Sequence, residues 1–303
     1  MIPLLLASQI LQNMQLVMGD LPPKSKTPLD IQVLEEIQTD AFTRKKITYV
    51  PEQGDRVPAY LFLPKGQRKK RPAMLCLHQT TKIGKGEPAG VGGKENLQYA
   101  RELAERGYVT LAPDYPNFGD YAIDVYARGY ASATMKGIVN HRRAVDLLAS
   151  LPEVDRDNIG VMGHSLGGHN SLFVAAFDPR LKAVVTSCGF NSFRKYMKGN
   201  LTGWSHKGYM PRIAERYEKS PEKMPFDFPD VLKAIYPRAV FINAPTGDAN
   251  FEVSGVYDCV NAVKPLYQGS SRLVSVHPPV GHDFPSDIRE QAYLFLDKQL
   301  HKK

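Results

Sequence analysis

Six short, mostly apolar runs, at 73–77, 108–112, 159–162, 183–186, 239–242 and 273–276, alternate with helical stretches, and they constrain this chain's fold more than any other feature. The strictest of them, Ala73-Met74-Leu75-Cys76-Leu77, has no polar position, as expected of a strand buried on both faces. Between them the spacing predicts helices at about 95–106, 131–150, 166–177, 254–266 and 285–300. Strand and helix in alternation specify a parallel sheet covered on both faces. Upstream, 47–50 and 57–63 read as strands joined by Glu52-Gln53-Gly54-Asp55, a hairpin signal. The expected class is therefore α/β, with a mostly parallel central sheet and an antiparallel N-terminal hairpin.

Two segments fall outside this rhythm. Residues 1–41 are expected to form a helical extension preceding a catalytic domain at 42–303. Met1 to Leu6 is apolar, but no basic residue precedes it. Ile10, Met14, Val17 and Met18 recur at helical spacing, so a helix lying on the domain is expected rather than a secretion signal. Gly19-Asp20-Leu21-Pro22-Pro23 ends it, and 29–38 forms a short amphipathic element. The second segment, 190–235, is polar and aromatic. A stretch of that length between two strands is expected to be a lid-like insertion.

The composition excludes several classes of function. Hydrophobic residues make up 43% and charged residues 23% of 303, enough for a large core. The net charge is +8, but the basic residues are scattered. The densest run, Arg68-Lys69-Lys70-Arg71, reads as a solvated turn with no interleaved aromatic residues, so no nucleic-acid partner is expected. No apolar run of about 20 residues predicts a membrane span. Cys76, Cys188 and Cys259 are widely spaced and form no zinc-ligand pattern. They read as buried free thiols, which favours a reducing, cytoplasmic location. No metal or other cofactor is implied. The Gly-rich stretch 84–94 ends in lysine but lacks the register of a phosphate-binding loop.

The chemistry is carried by Gly163-His164-Ser165-Leu166-Gly167. A strand leads in and a helix leads out, as the G-x-S-x-G turn requires. Ser165 is the candidate nucleophile, placed at a helix N-terminus where free N–H groups stabilise negative charge. A serine needs a base. His282, in the loop after the last strand, is preferred over His277, which ends that strand before two prolines. The acid is expected in the loop after 239–242, where Asp248 is the first carboxylate and Glu252 the rival. One oxyanion donor is expected from Leu166 N–H and the second from Gln79 or Thr80. Cys188 has no strand-turn-helix around it and reads as a core thiol. Trp204 and Tyr209 are candidate substrate-binding residues, able to stack on a sugar or an aromatic acyl group. Lys195, Lys198, Lys207 and Arg212 would favour an anionic substrate. The same residues could also merely pack and solvate the insertion.

With those motifs in place the chain resembles the α/β-hydrolase superfamily. It is most similar to the dienelactone-hydrolase-like and acetyl-xylan-esterase-like branch. Gly163 to Gly168, Gly247-Asp248 and Gly281-His282-Asp283 carry the resemblance. Ala112-Pro113-Asp114-Tyr115 and Val154 to Gly160 are phrases this branch uses around the same strands. The resemblance runs from about residue 42 to the C-terminus. It implies hydrolysis of a small-molecule ester through an acyl-enzyme. Two departures stand out. The oxyanion loop reads His78-Gln79-Thr80 where many relatives have His-Gly. The nucleophile is serine, where dienelactone hydrolases proper use cysteine. Two rival readings share the fold: a small-peptide peptidase of the prolyl-oligopeptidase type, and a non-catalytic binding protein.

Overall fold

The computed structural model describes residues 4–66 and 70–300. Met1 to Pro3, Gln67 to Lys69 and the last three residues lie outside the described residues. In chain order the elements are α1 (Leu4–Met18), β1 (Gln32–Gln38), β2 (Phe42–Tyr49), β3 (Val57–Pro64), β4 (Arg71–Leu77), α2 (Tyr99–Glu105), β5 (Val109–Pro113), α3 (Ala133–Ser150), β6 (Val154–His164), α4 (Leu166–Phe177), β7 (Leu181–Ser187), α5 (Arg212–Tyr217), α6 (Phe228–Ile235), β8 (Ala239–Asn243), α7 (Val253–Val263), β9 (Leu273–Val276) and α8 (Ser286–Leu300).

Among the described residues the strands form one sheet in the order β1-β2-β3-β5-β4-β6-β7-β8-β9. Strands β1, β2, β3 and β5 pair antiparallel, and every pairing from β5 through β9 is parallel. This is the α/β-hydrolase fold. All residues of β4, β5 and β8 are buried, because helices cover both faces there. The chain runs from β4 outward to β5 and then returns past β4 to β6. The sheet order therefore reverses between β4 and β6. In open parallel sheets a ligand crevice lies beyond the carboxyl ends of the strands flanking such a reversal. Gln79 and Thr80 follow β4, and Ser165 follows β6.

The N-terminal segment departs from expectation. Leu4–Met18 is helical, and Ile10, Met14, Val17 and Met18 are buried in the main core. Gln32–Gln38, however, is a strand pairing with β2, so 1–41 is not helical throughout. All seven of its residues are exposed. It is held by ladder hydrogen bonds and by ion pairs of Glu35 with Arg44 (3.7 Å) and Glu36 with Lys45 (3.1 Å), which leave no apolar period to read. The basic run at 68–71 is also not wholly solvated. Arg71 opens β4 and is buried, donating to the carbonyls of Lys65 (2.9 Å) and Gly66 (3.3 Å). No helix among the described residues is long and apolar enough to cross a membrane.

The hairpin turn is likewise more than a solvated connection. Lys136 of α3 is fully buried, with its Nζ 2.7 Å from Glu52 and 2.6 Å from Asp55. Tyr130 donates to Glu52 and Tyr121 to Asp55, both at 2.7 Å. The β2–β3 turn is thereby pinned to α3. Removing one partner of a buried ion pair leaves an uncompensated charge, whereas the intact pair adds little net stability. Lys136→Met is accordingly expected to lower the unfolding free energy by about 3–5 kcal/mol, read from the urea midpoint at neutral pH. An unchanged midpoint would show that the two carboxylates do not depend on it.

Candidate active site

Strand β6 ends at His164, and α4 begins at Leu166. Ser165 between them has φ 54° and ψ −116°, a conformation L-residues adopt only when their surroundings enforce it. The enforcement comes from backbone packing. A Cβ on Gly163 would lie 2.4 Å from the Gly167 carbonyl, and one on Gly167 would lie 1.9 Å from Leu77 O of β4. Ser165 N–H donates to Ser187 O at the end of β7 (2.8 Å). Residues 161–170 are buried except Ser165, which is partly exposed.

The loops after β8 and β9 bring Asp248 and His282 together. Thr246 N–H donates to Pro278 O and Gly247 N–H to Val280 O, both at 3.0 Å. A Cβ on Gly247 would meet Val280 O at 2.8 Å, so only glycine lets the loops touch. His282 Nδ1 lies 3.0 and 2.9 Å from the two Asp248 oxygens. Asp248 Oδ1 also accepts from Asn250 N–H (2.8 Å) and Phe251 N–H (3.2 Å), which fix the carboxylate plane. With Nδ1–H donating to the carboxylate, Nε2 of His282 is left with its lone pair. The rivals are engaged elsewhere. His277 bonds Ser275 Oγ (3.0 Å) and Ala244 O (2.9 Å). Glu252 is exposed and accepts from Ser254.

Beneath His282 lies a buried polar floor. The His164 ring meets the His282 ring edge-on at 4.8 Å, and its Nδ1 lies 2.9 Å from Ser187 Oγ. Burial and then the neighbouring His282 hold His164 far below the usual histidine range. Cys188 is buried and has a positive φ of 47°. Burial, and then the Asp248 carboxylate, push its thiol up, so it is no nucleophile at neutral pH.

After β4, His78 is buried and accepts Tyr115 N–H at Nε2 (2.9 Å). Its proton is therefore on Nδ1, 2.6 Å from Gln79 O. Across the planar trans peptide, Thr80 N–H points opposite to that carbonyl, away from His78. Leu166 is buried at the start of α4. The stretch 84–94 is anchored by Lys85, buried with Nζ 2.7 Å from both Asp114 and Asp120. The sequence reading missed this anchor and the His78 relay. Gly84 before a lysine, in a Gly-rich stretch without the phosphate-loop register, was the available signal.

Trp204 requires a correction. It is 2% exposed, inside an aromatic cluster with His169 (4.7 Å between ring centroids), Phe193 (5.8 Å), Tyr196 (5.6 Å) and Phe228 (5.6 Å). It anchors the 190–235 segment to α4 and offers no face for stacking. Tyr209 is half-buried, and its hydroxyl is 3.3 Å from Thr80 Oγ1. It thus spans from the insertion to the loop after β4.

Burial holds His141 and His169 down at about 3. Such a histidine binds its proton in the unfolded chain near 6.5 but in the folded chain only near 3. Stability is therefore full above pH 6.5 and is lost as pH falls toward 3. Each of the two is expected to contribute up to about 1.4 kcal/mol per pH unit in that window. Urea midpoints from pH 7.5 to 4.5 test this, and His169→Gln should flatten the slope by about one proton. An equal slope in the variant would contradict it.

The chain matches the prolyl oligopeptidase family over residues 95–302. It is 24% identical over 299 residues to YtaP of Bacillus subtilis (strain 168), provisionally named a hydrolase, covering 94% of this chain and 96% of YtaP. It is 26% identical over 212 residues to the acetyl esterase Axe7A of Xylanibacter ruminicola, covering 62% of this chain and 46% of Axe7A. Among solved structures, a glucuronoyl esterase from Solibacter usitatus superposes with a TM-score of 0.74 at 17% identity, covering 97% of this chain and 92% of that one. Acetyl xylan esterase 1 from Thermoanaerobacterium sp. JW/SL YS485 gives 0.67 at 18% identity, covering 99% and 95%.

Proposed function

The chain belongs to the prolyl oligopeptidase family, and from that premise we propose that it is a serine hydrolase of carboxylic esters with Ser165 as its nucleophile. One observation carries the reading. A partly exposed serine is held at φ 54° on a strand-to-helix turn, and a histidine bonded to a buried carboxylate stands on neighbouring loops of the same sheet edge. In this reading His282 Nε2 takes the Ser165 proton as Oγ attacks the ester carbonyl. Asp248 holds the imidazole tautomer and stabilises the imidazolium. Leu166 N–H and an N–H of the Gln79–Thr80 loop receive the oxyanion, and the outward turn of Thr80 N–H favours Thr80 for the second donor. His282 then protonates the departing alcohol, and water releases the acid from Ser165.

Substrate class follows from the surroundings. Residues 190–235 act as a packed cover, and Tyr209, which reaches Thr80, forms the wall of the acyl or alcohol site in place of Trp204. The glucuronoyl and acetyl xylan esterases of like fold and the acetyl esterase Axe7A support small acyl or carbohydrate esters. The buried free thiols Cys76, Cys188 and Cys259 fit a reducing compartment. The family name keeps a peptidase reading alive, and a paired assay separates the two. Wild type is expected to hydrolyse p-nitrophenyl acetate and butyrate and to leave aminoacyl 4-nitroanilides intact. Ser165→Ala is expected to lose several orders of magnitude in turnover, and Asp248→Asn about 10⁴-fold. Near-full esterase activity in Ser165→Ala would sink the assignment, and selective cleavage of the anilides would move it to the peptidase.

A further inference from the structure

Between α3, residues 22–25 and the β2–β3 turn lies a cavity of about 130 Å³. Pro22, Lys24, Glu52, Arg142, Arg143, Asp146 and Arg180 are among its lining residues. Four of these are cations and two are carboxylates. The carboxylates are already engaged. Asp146 is shared by Lys24 (3.0 Å), Arg143 (2.7 Å) and Arg180 (2.6 Å), and Glu52 is held by Lys136 and Arg128. Arg142 is left over. Its guanidinium has no acceptor among the described residues, and its Nε is buried without a partner, as is that of Arg143.

A buried donor without an acceptor is costly, and buried polar groups in folded proteins are nearly always matched. Arg142, partly exposed with its Nε buried and unmatched, stands in a half-enclosed cleft beside three more cations. Those three share Asp146, and Arg180 also pairs with Asp178 (2.6 Å). Arg142 is thus the one cation of the four without a carboxylate partner among the described residues. The cavity holds several waters and so admits a tetrahedral oxyanion. Guanidinium groups match phosphate oxygens in pairs, which a lone lysine does not.

We propose that this cleft is a binding site for a phosphate-type dianion, with Arg142 as its principal ligand and Lys24 closing it from the 22–25 loop. The site lies off the Ser165 edge of the sheet and does not depend on the esterase reading. Arg143 and Arg180 contribute charge while keeping their bonds to Asp146.

The test is calorimetric titration of the full chain with sodium phosphate at constant ionic strength. Wild type is expected to bind saturably. Arg142→Ala, checked for native circular dichroism, is expected to bind about tenfold more weakly or worse. Lys24→Gln, at an exposed position, should weaken binding in the same direction. Asp146→Asn should strengthen it, because it removes the competing carboxylate. Glycerol 3-phosphate run alongside separates the sources. Tighter binding of the monoester identifies a phosphate borne on a larger molecule, and tighter binding of inorganic phosphate identifies the free ion. Absence of saturable heat in wild type, or equal affinity in wild type and both Arg142→Ala and Lys24→Gln, would overturn the proposal.

Discussion

The site hangs on a contact between backbones that leaves no room for a side chain. Where β6 turns into α4, Gly163 and Gly167 pack against each other and against the carbonyl of Leu77. That closeness sets the sharpness of the turn. The turn lifts Ser165 out of an otherwise buried stretch into a conformation no isolated peptide would favour. It also fixes the separation of the β4 and β6 ends, and therefore the distance between the Ser165 turn and the Gln79–Thr80 loop.

The rest of the edge is built on the same economy of space. Gly247 brings the loop after β8 within hydrogen-bond reach of the loop after β9, so Asp248 and His282 come from different strands yet share one rigid frame. Below them His164, Ser187, Asn243 and Cys188 form a buried polar layer. Asn243 Nδ2 donates to Ser187 Oγ (2.8 Å) and to Asp283 O (2.9 Å), tying the end of β8 to the residue after His282. Each catalytic candidate is thus placed by strands and by hydrogen bonds behind it, and preorganisation of that kind is what makes a charged transition state cheaper inside a protein than in water.

Much of this was legible in the residues, for physical reasons. Strands buried on both faces must be apolar throughout, so β4 and β8 announce themselves. The elbow needs glycine on both sides of its serine, so Ser165 does too. His282 and Asp248 were read from chain order, and the structure brings those two residues into contact. What escaped was of another kind. Strand β1 is exposed along its whole length and is held by its ladder and by ion pairs, so it has no hydrophobic period. Trp204 looked like a platform because an aromatic residue in a polar segment has no visible partner until the fold supplies His169, Phe193 and Phe228. The burial of Lys136 and Lys85 left no mark in the sequence, since burial of a lysine depends on carboxylates distant in sequence.

The docking of α1 carries a consequence for how the protein is made. Helix α1 packs on α5 and α6, and Arg212 donates to Leu16 O (3.3 Å). The apolar face of α1 leaves the ribosome roughly 200 residues before its partners exist. At ribosomal speeds that is a wait on the order of 10–40 s. Through that interval the face of α1 that packs on α5 and α6 has no native surface to cover it. Helix α1 therefore completes its packing only after α5 and α6 have formed. Helices α5 and α6 close against α1 only after their own synthesis, and until then a holding chaperone has a natural point of engagement at α1.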